Sequence, residues 1–289
     1  MSWFVFAICA SIAFAIQSEV NKHYKIDGFV LNTVQCAISV LLLAPFIPFM
    51  EWPGDPMYYL ITLLCAAMSV VSAMALYNLA ANKSGRVACL YQPIAVLLVF
   101  LIWLAFDQAQ RLFLIENPWN ALAIAFAFGL YGVSIQFIRR NDIGWKVLLA
   151  VLPIAVLFSI GVILTKIILA QGESPLRITL NFVFLLCIFG AVISLPLLLS
   201  KHLKSSGPVL NKHVFKGAAW VAVFHTLSWI LFNVAIVLSP NPAYVSMVDG
   251  LIPVWFMLYY RLRGFHDDAS PRSGLIITLA AVILLLATS

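Results

Sequence analysis

The sequence predicts an all-α polytopic membrane protein with ten transmembrane helices, arranged as a 5+5 inverted repeat. Three observations carry that prediction. Residues are 63% hydrophobic and only 10% charged, with a mean hydropathy of +1.03, whereas a soluble domain carries about 25% charged residues. Stretches free of Asp, Glu, Lys and Arg cover 28–50, 57–82, 87–106, 117–138, 147–165 and 178–200, and a helix that crosses a membrane needs about 20 apolar residues. A helical hairpin also occurs twice. At one ungapped offset, Tyr77-Asn78-x-Ala80 falls on Phe232-Asn233-x-Ala235, Ser84 on Ser239 and Ala88 on Ala243.

The expected helices, in order, are 3–21, 28–50, 57–80, 87–106, 118–138, 147–169, 178–200, 215–238, 242–261 and 273–288. The first lacks the basic start of a signal peptide, so it reads as a retained helix. Trp3 at its start suits an interfacial anchor. The second carries Cys36 and Pro45, and the seventh carries Cys187 and Pro196 at one shared offset. The third ends at Tyr77-Asn78, before the turn Ser84-Gly85. Tyr91-Gln92-Pro93 interrupts the fourth, because proline removes a backbone donor. The fifth holds Ala121, Ala125 and Gly129 at a spacing that permits close helix approach; packing against the tenth helix is expected, with a homodimer seam as the alternative. Lys166 stands near the end of the sixth helix as Lys22 ends the first. From Gly217 to Val248 the chain carries no Asp, Glu, Lys or Arg, and the eighth helix turns at Ser239-Pro240. In the ninth, Asp249 is followed by Gly250 and Pro253, which loosen the helix. The repeats are 1–140 and 141–289.

Charge fixes an expected orientation. All but Arg111, Lys166 and Arg177 of the seventeen Lys and Arg fall in, or just beside, the loops joining helices 1-2, 3-4, 5-6, 7-8 and 9-10. The positive-inside rule puts those loops in the cytoplasm and both chain ends outside. An odd number of helices per repeat inverts the second copy, an architecture recurrent in secondary transporters. The net charge of +6 therefore speaks to topology, and no nucleic-acid partner is implied. The five cysteines all lie in apolar segments, as small core residues rather than a disulfide or zinc framework.

Few polar groups lie at membrane depth, and such groups are functional candidates by default. Asp249 is the expected ion-coupling group. His225, Trp229 and Asn233 recur every fourth residue and share one helix face; they are expected to line a substrate. Tyr77, Asn78, Tyr91, Gln92, Tyr244 and Trp255 complete that lining, with Phe14 and Phe232 as further aromatic candidates. Lys166 and Lys22 are candidates for attracting an anion. Glu19 is three residues before Lys22, and an interfacial ion pair is its simplest role. No phosphate-binding loop, zinc-hydrolase or serine-hydrolase motif occurs, so neither an enzyme, a cofactor nor a metal is expected.

Ten helices in two fives, the hairpins at Ser84-Gly85 and Ser239-Pro240, and the closing helices ALAIAFAFGLYGV and RSGLIITLAAVILLL resemble the drug/metabolite transporter superfamily in its EamA-like branch. The sequence departs from that pattern where Asp107 replaces the Glu that closes the fourth helix, and where no Glu stands near Tyr260-Arg261. The resemblance implies a central cavity among helices 1, 3, 4, 6, 8 and 9. It also implies both ends in the cytoplasm, opposite to the charge rule. The expected function is secondary transport of a small metabolite or amphipathic solute by alternating access. The expected partners are that solute, protons and membrane lipids, the chain being a monomer or homodimer in a bacterial inner (plasma) membrane. The alternatives are a lipid flippase or scramblase, and a non-transporting scaffold.

Overall fold

A computed structural model describes residues 2–82, 91–138, 145–204, 210–264 and 271–288. Among them every regular element is helical. The helices are α1 (Ser2–Tyr24), α2 (Gly28–Leu43) with a 3-10 extension (Ala44–Phe49), α3 (Pro56–Asn82), α4 (Tyr91–Phe106), α5 (Gln108–Glu116) and α6 (Pro118–Ile138). They continue with α7 (Trp145–Leu169), α8 (Pro175–Lys204), α9 (Lys212–Leu238), α10 (Pro242–Asp249), α11 (Ile252–Leu262) and α12 (Pro271–Thr288).

Local chemistry sets the ends. Asp27, Asp107, Asn211 and Asn241 cap α2, α5, α9 and α10 by accepting first-turn N–H groups, which have no partner inside a helix. The Glu51 carboxylate accepts the N–H groups of Glu173 and Ser174 ahead of α8. Pro45 and Pro48 lie within the 3-10 extension that ends the second segment.

Two features differ from the sequence expectation, the corner after Phe106 and the number of spans, while the ninth segment breaks where Gly250 and Pro253 loosen it. The fourth segment does not stop at Phe106 but bends by 97° into α5, a stretch expected as loop. Asp107 makes that corner by accepting from Ala109 N, Gln110 N and Trp103 Nε1. The ninth segment is broken at Gly250-Leu251, between α10 and α11. Among the described residues, seven helical segments are long and apolar enough to cross a membrane, or eight if the bent α4–α5 pair counts as one span; ten were expected over the whole chain.

The surface is inverted relative to a soluble protein. Trp119 is 81% exposed and Leu41 72%, with many Leu, Ile and Val side chains alongside. This is the pattern of a multi-pass membrane protein, whose outer face meets lipid. Trp3 is instead buried at 5% exposure against Phe4 and Tyr244, so it is a core residue and not a surface anchor. On α6 the buried face is Ile124, Ala127 and Tyr131. Ala125 and Gly129 are exposed, and a Cβ added at Gly129 would meet nothing within 4 Å. The small-residue stripe therefore does not make the contact with α12 that the sequence proposed for it.

Helix α1 packs on α9, α10 and α11; α3 packs on α7 and α8; α4 packs on α7 and α10. The remaining main contacts are α2 with α8 and α9, and α6 with α12. The larger core cluster joins Ala7 and Ala10 of α1 to Val99, Ile124, Ile163, Phe232, Tyr244 and Ile277 from six other helices. Every residue of α10 is buried.

Candidate functional site

Helix α1 is the axis of the site. Reading from its start, the Trp3 ring lies 6.4 Å from that of Tyr244. Ser11 Oγ accepts from Trp255 Nε1 at 2.8 Å. Phe14 lies 6.2 Å from both Trp229 and Phe232. Gln17 meets His225, the Tyr260 hydroxyl donates to Glu19, and Tyr24 meets His213. The order of these partners makes α9 antiparallel to α1 and makes α10–α11 parallel to it.

Two polar pairs stand out, Gln92–Asp249 buried on both sides and Gln17–His225 with its imidazole partly buried. Gln17 Nε2 donates to His225 Nδ1 at 3.2 Å, which leaves that ring nitrogen as the acceptor. Gln92 Nε2 donates to Asp249 Oδ2 at 3.3 Å. Three acceptors beside these pairs, Gln17 Oε1, Asn233 Oδ1 and Asp249 Oδ1, are buried without a hydrogen-bond partner. Most buried polar atoms have one, and an unmet acceptor is costly. Among the described residues the site thus offers acceptors in search of a donor or a cation.

An aromatic wall connects the two pairs. Tyr91 packs on Phe158 with ring centroids 5.5 Å apart, Phe158 on Phe232 at 6.4 Å, and Phe232 on Trp229 at 6.1 Å. His225 sits 6.0 Å from Trp229. Phe14, Tyr91, Phe158, His225, Trp229 and Trp255 are only partly buried. Such rings can stack on a flat or cationic solute.

The expected site residues separate into groups. His225, Trp229, Tyr91, Gln92, Trp255 and Asp249 line this seam. Asn233 is fully buried on the same helix, and its Nδ2 donates to the Trp229 carbonyl at 2.8 Å. Tyr244 is fully buried and accepts from Gln110 Nε2 at 2.9 Å, so it joins α10 to α5 in the core. Lys166 Nζ donates to the carbonyls of Ile236, Val237 and Ser239 at 2.8, 2.9 and 2.7 Å. Its three protons thereby cap the C-terminal end of α9, where carbonyls lack helical partners and positive charge is favoured. The side chains of Lys22, Tyr77 and Asn78, and the turn Ser84-Gly85, lie outside the described residues. No group of three His, Cys, Asp or Glu among the described residues could hold a metal ion.

Gln17, Ser11, Phe158 and Tyr131 are missing from the sequence-derived set. A signal existed for the first two: Ser11, Phe14 and Gln17 recur every third residue along α1. Tyr131 carried none. Its hydroxyl occupies the space beside Gly250, only 1.9 Å from where a Cβ would stand.

No family model and no curated protein matches the chain. Solved structures do: one crystal structure of a protein is 12% identical, superposes with a TM-score of 0.72, and matches 100% of this chain and 99% of its own. At that identity the likeness is one of fold, and it extends over the whole chain.

Proposed function

We propose that the protein is a secondary transporter of the drug/metabolite transporter type, moving a small solute by alternating access along the seam beside α1. One observation carries the reading. The deep polar pairs Gln17–His225 and Gln92–Asp249 each join a helix from 1–140 to a helix from 141–289. A solute placed among them would contact both halves at once, as a rocking mechanism requires. The bacterial inner membrane is the location that goes with this reading.

The reading includes ten spans in two inverted fives. The packing partners support it. Exchanging each segment with the one five places away turns α1–α9 into α7–α3, α1–α10 into α7–α4, and α2–α9 into α8–α3. The pairs α2–α8, α4–α10 and α6–α12 exchange into themselves. All of these contacts occur. The matched cysteines add to the support: Cys36 of α2 and Cys187 of α8 are both buried in the same core cluster, and α2 packs on α8.

The experiment is counterflow of labelled amino acids and aromatic organic cations into proteoliposomes. Saturable exchange that falls in Trp229→Ala supports the proposal. Movement of a lipid reporter without solute exchange would turn the assignment to a flippase or scramblase.

A further inference from the structure

We propose that the break between α10 and α11 is a binding site for a small alkali cation, with Asp249 as its charged ligand. The inference deepens the transport reading by naming a coupling ion. It rests first on an unbalanced charge. Asp249 is 6% exposed; Oδ2 has the Gln92 amide at 3.3 Å, and Oδ1 has no partner. Among the described residues no Lys, Arg or His hydrogen-bonds it, and the partly buried ammonium of Lys166 is engaged by three carbonyls of α9's end. A buried carboxylate that lacks a partner charge is costly, and a bound cation relieves that cost as a proton would.

The backbone supplies the second part. Gly250 N donates back to Ser246 O and Met247 O, Leu251 N to Val248 O, and Val254 N and Trp255 N both to Leu251 O. The carbonyls of Asp249 and Gly250 are passed over: no backbone N–H of the described residues donates to either. Pro253, where the donor to Asp249 O would normally stand, has no N–H. The break therefore leaves a carboxylate oxygen and two backbone carbonyls without N–H donors on adjacent residues, at the C-terminal end of α10, where positive charge is favoured. Hard cations take oxygen ligands of these types. Carbonyls released where a spanning helix unwinds are a recurrent way to hold sodium. Gly250 keeps the break open to the Tyr131 hydroxyl, which packs directly against it.

The test reads binding and not flux, so it can fail while transport stands. Purified protein in detergent is titrated with radiolabelled sodium at one fixed alkaline pH, with an organic cation holding the ionic strength. Saturable sodium binding is expected, weakened by at least about tenfold in Asp249→Asn, since a charged ligand is lost. Glu116→Gln, at an exposed carboxylate outside the site, should bind as the parent does. Sodium, but not the organic cation, should also raise the thermal midpoint of the unsubstituted protein, which keeps the test decisive if Asp249→Asn does not fold. Absence of saturable binding to the unsubstituted protein overturns the proposal in favour of a proton. Undiminished binding to a folded Asp249→Asn overturns it as well.

Discussion

Gln17 Nε2 and His225 Nδ1 lie 3.2 Å apart across 208 residues of sequence, and they join antiparallel helices from opposite halves of the chain. Replacing Gln17 by Leu leaves the partly buried imidazole without its donor, at a cost of about 1 kcal/mol. Replacing both, as Gln17→Leu with His225→Phe, removes donor and acceptor together. The double variant should lose less stability than the two single losses added, by at least about 0.5 kcal/mol. A double-mutant cycle on thermal or denaturant unfolding measures this; strict additivity would mean that the pair is not coupled.

Gly250→Ala should be damaging despite its small size. The added Cβ would stand 1.9 Å from the Tyr131 hydroxyl and 2.6 Å from its Cζ. Overpacking of this kind costs about 1–3 kcal/mol. Tyr131→Leu in the same protein should recover part of the loss, and the thermal midpoint of the pair decides. Equal midpoints for Gly250→Ala and the parent would mean that the helix break does not depend on this close approach.

Lys166→Met should lower stability by roughly 2–4 kcal/mol, because it strips charge-assisted hydrogen bonds from buried carbonyls. Yield and unfolding midpoint in detergent are the readouts. A Lys166→Met protein that is as stable as the parent but no longer takes up an anionic solute would favour the anion-attracting role instead.

The two tryptophans should separate stability from binding. Trp3→Ala empties a buried core position and should cost about 3–5 kcal/mol of stability. Trp229→Ala removes a partly exposed ring from the aromatic wall and should weaken solute binding by about 1 kcal/mol with little change in the midpoint. Measuring both quantities on both variants checks the assignment, which equal losses of affinity would contradict.

The class of the fold was legible because lipid imposes simple demands: long apolar runs, few charges, turns rich in Ser, Pro and Asn. The break in the ninth segment was legible from Gly250 and Pro253, and Asp249 from its isolation. Other features were not, because they depend on which helices meet. The 97° corner at Asp107 reads as an ordinary end of a span until α5 is seen to bond through Gln110 to Tyr244. Lys166 reads as a free charge until its carbonyl partners, some 70 residues further along, are in place. Ala125 and Gly129 carry a spacing that fits close packing, yet spacing does not say which face of α6 turns inward. Gln17 is one amide in an apolar helix, and its importance comes only from His225.

Solute counterflow in proteoliposomes decides whether the protein is a transporter. Saturable exchange of a labelled small solute is expected, reduced in Trp229→Ala and His225→Phe proteins that remain folded, and unchanged in Leu41→Ala, whose side chain is exposed on the outer face. No exchange of any amino acid or aromatic cation by the folded protein, or exchange that the Trp229 and His225 substitutions leave intact, would contradict it.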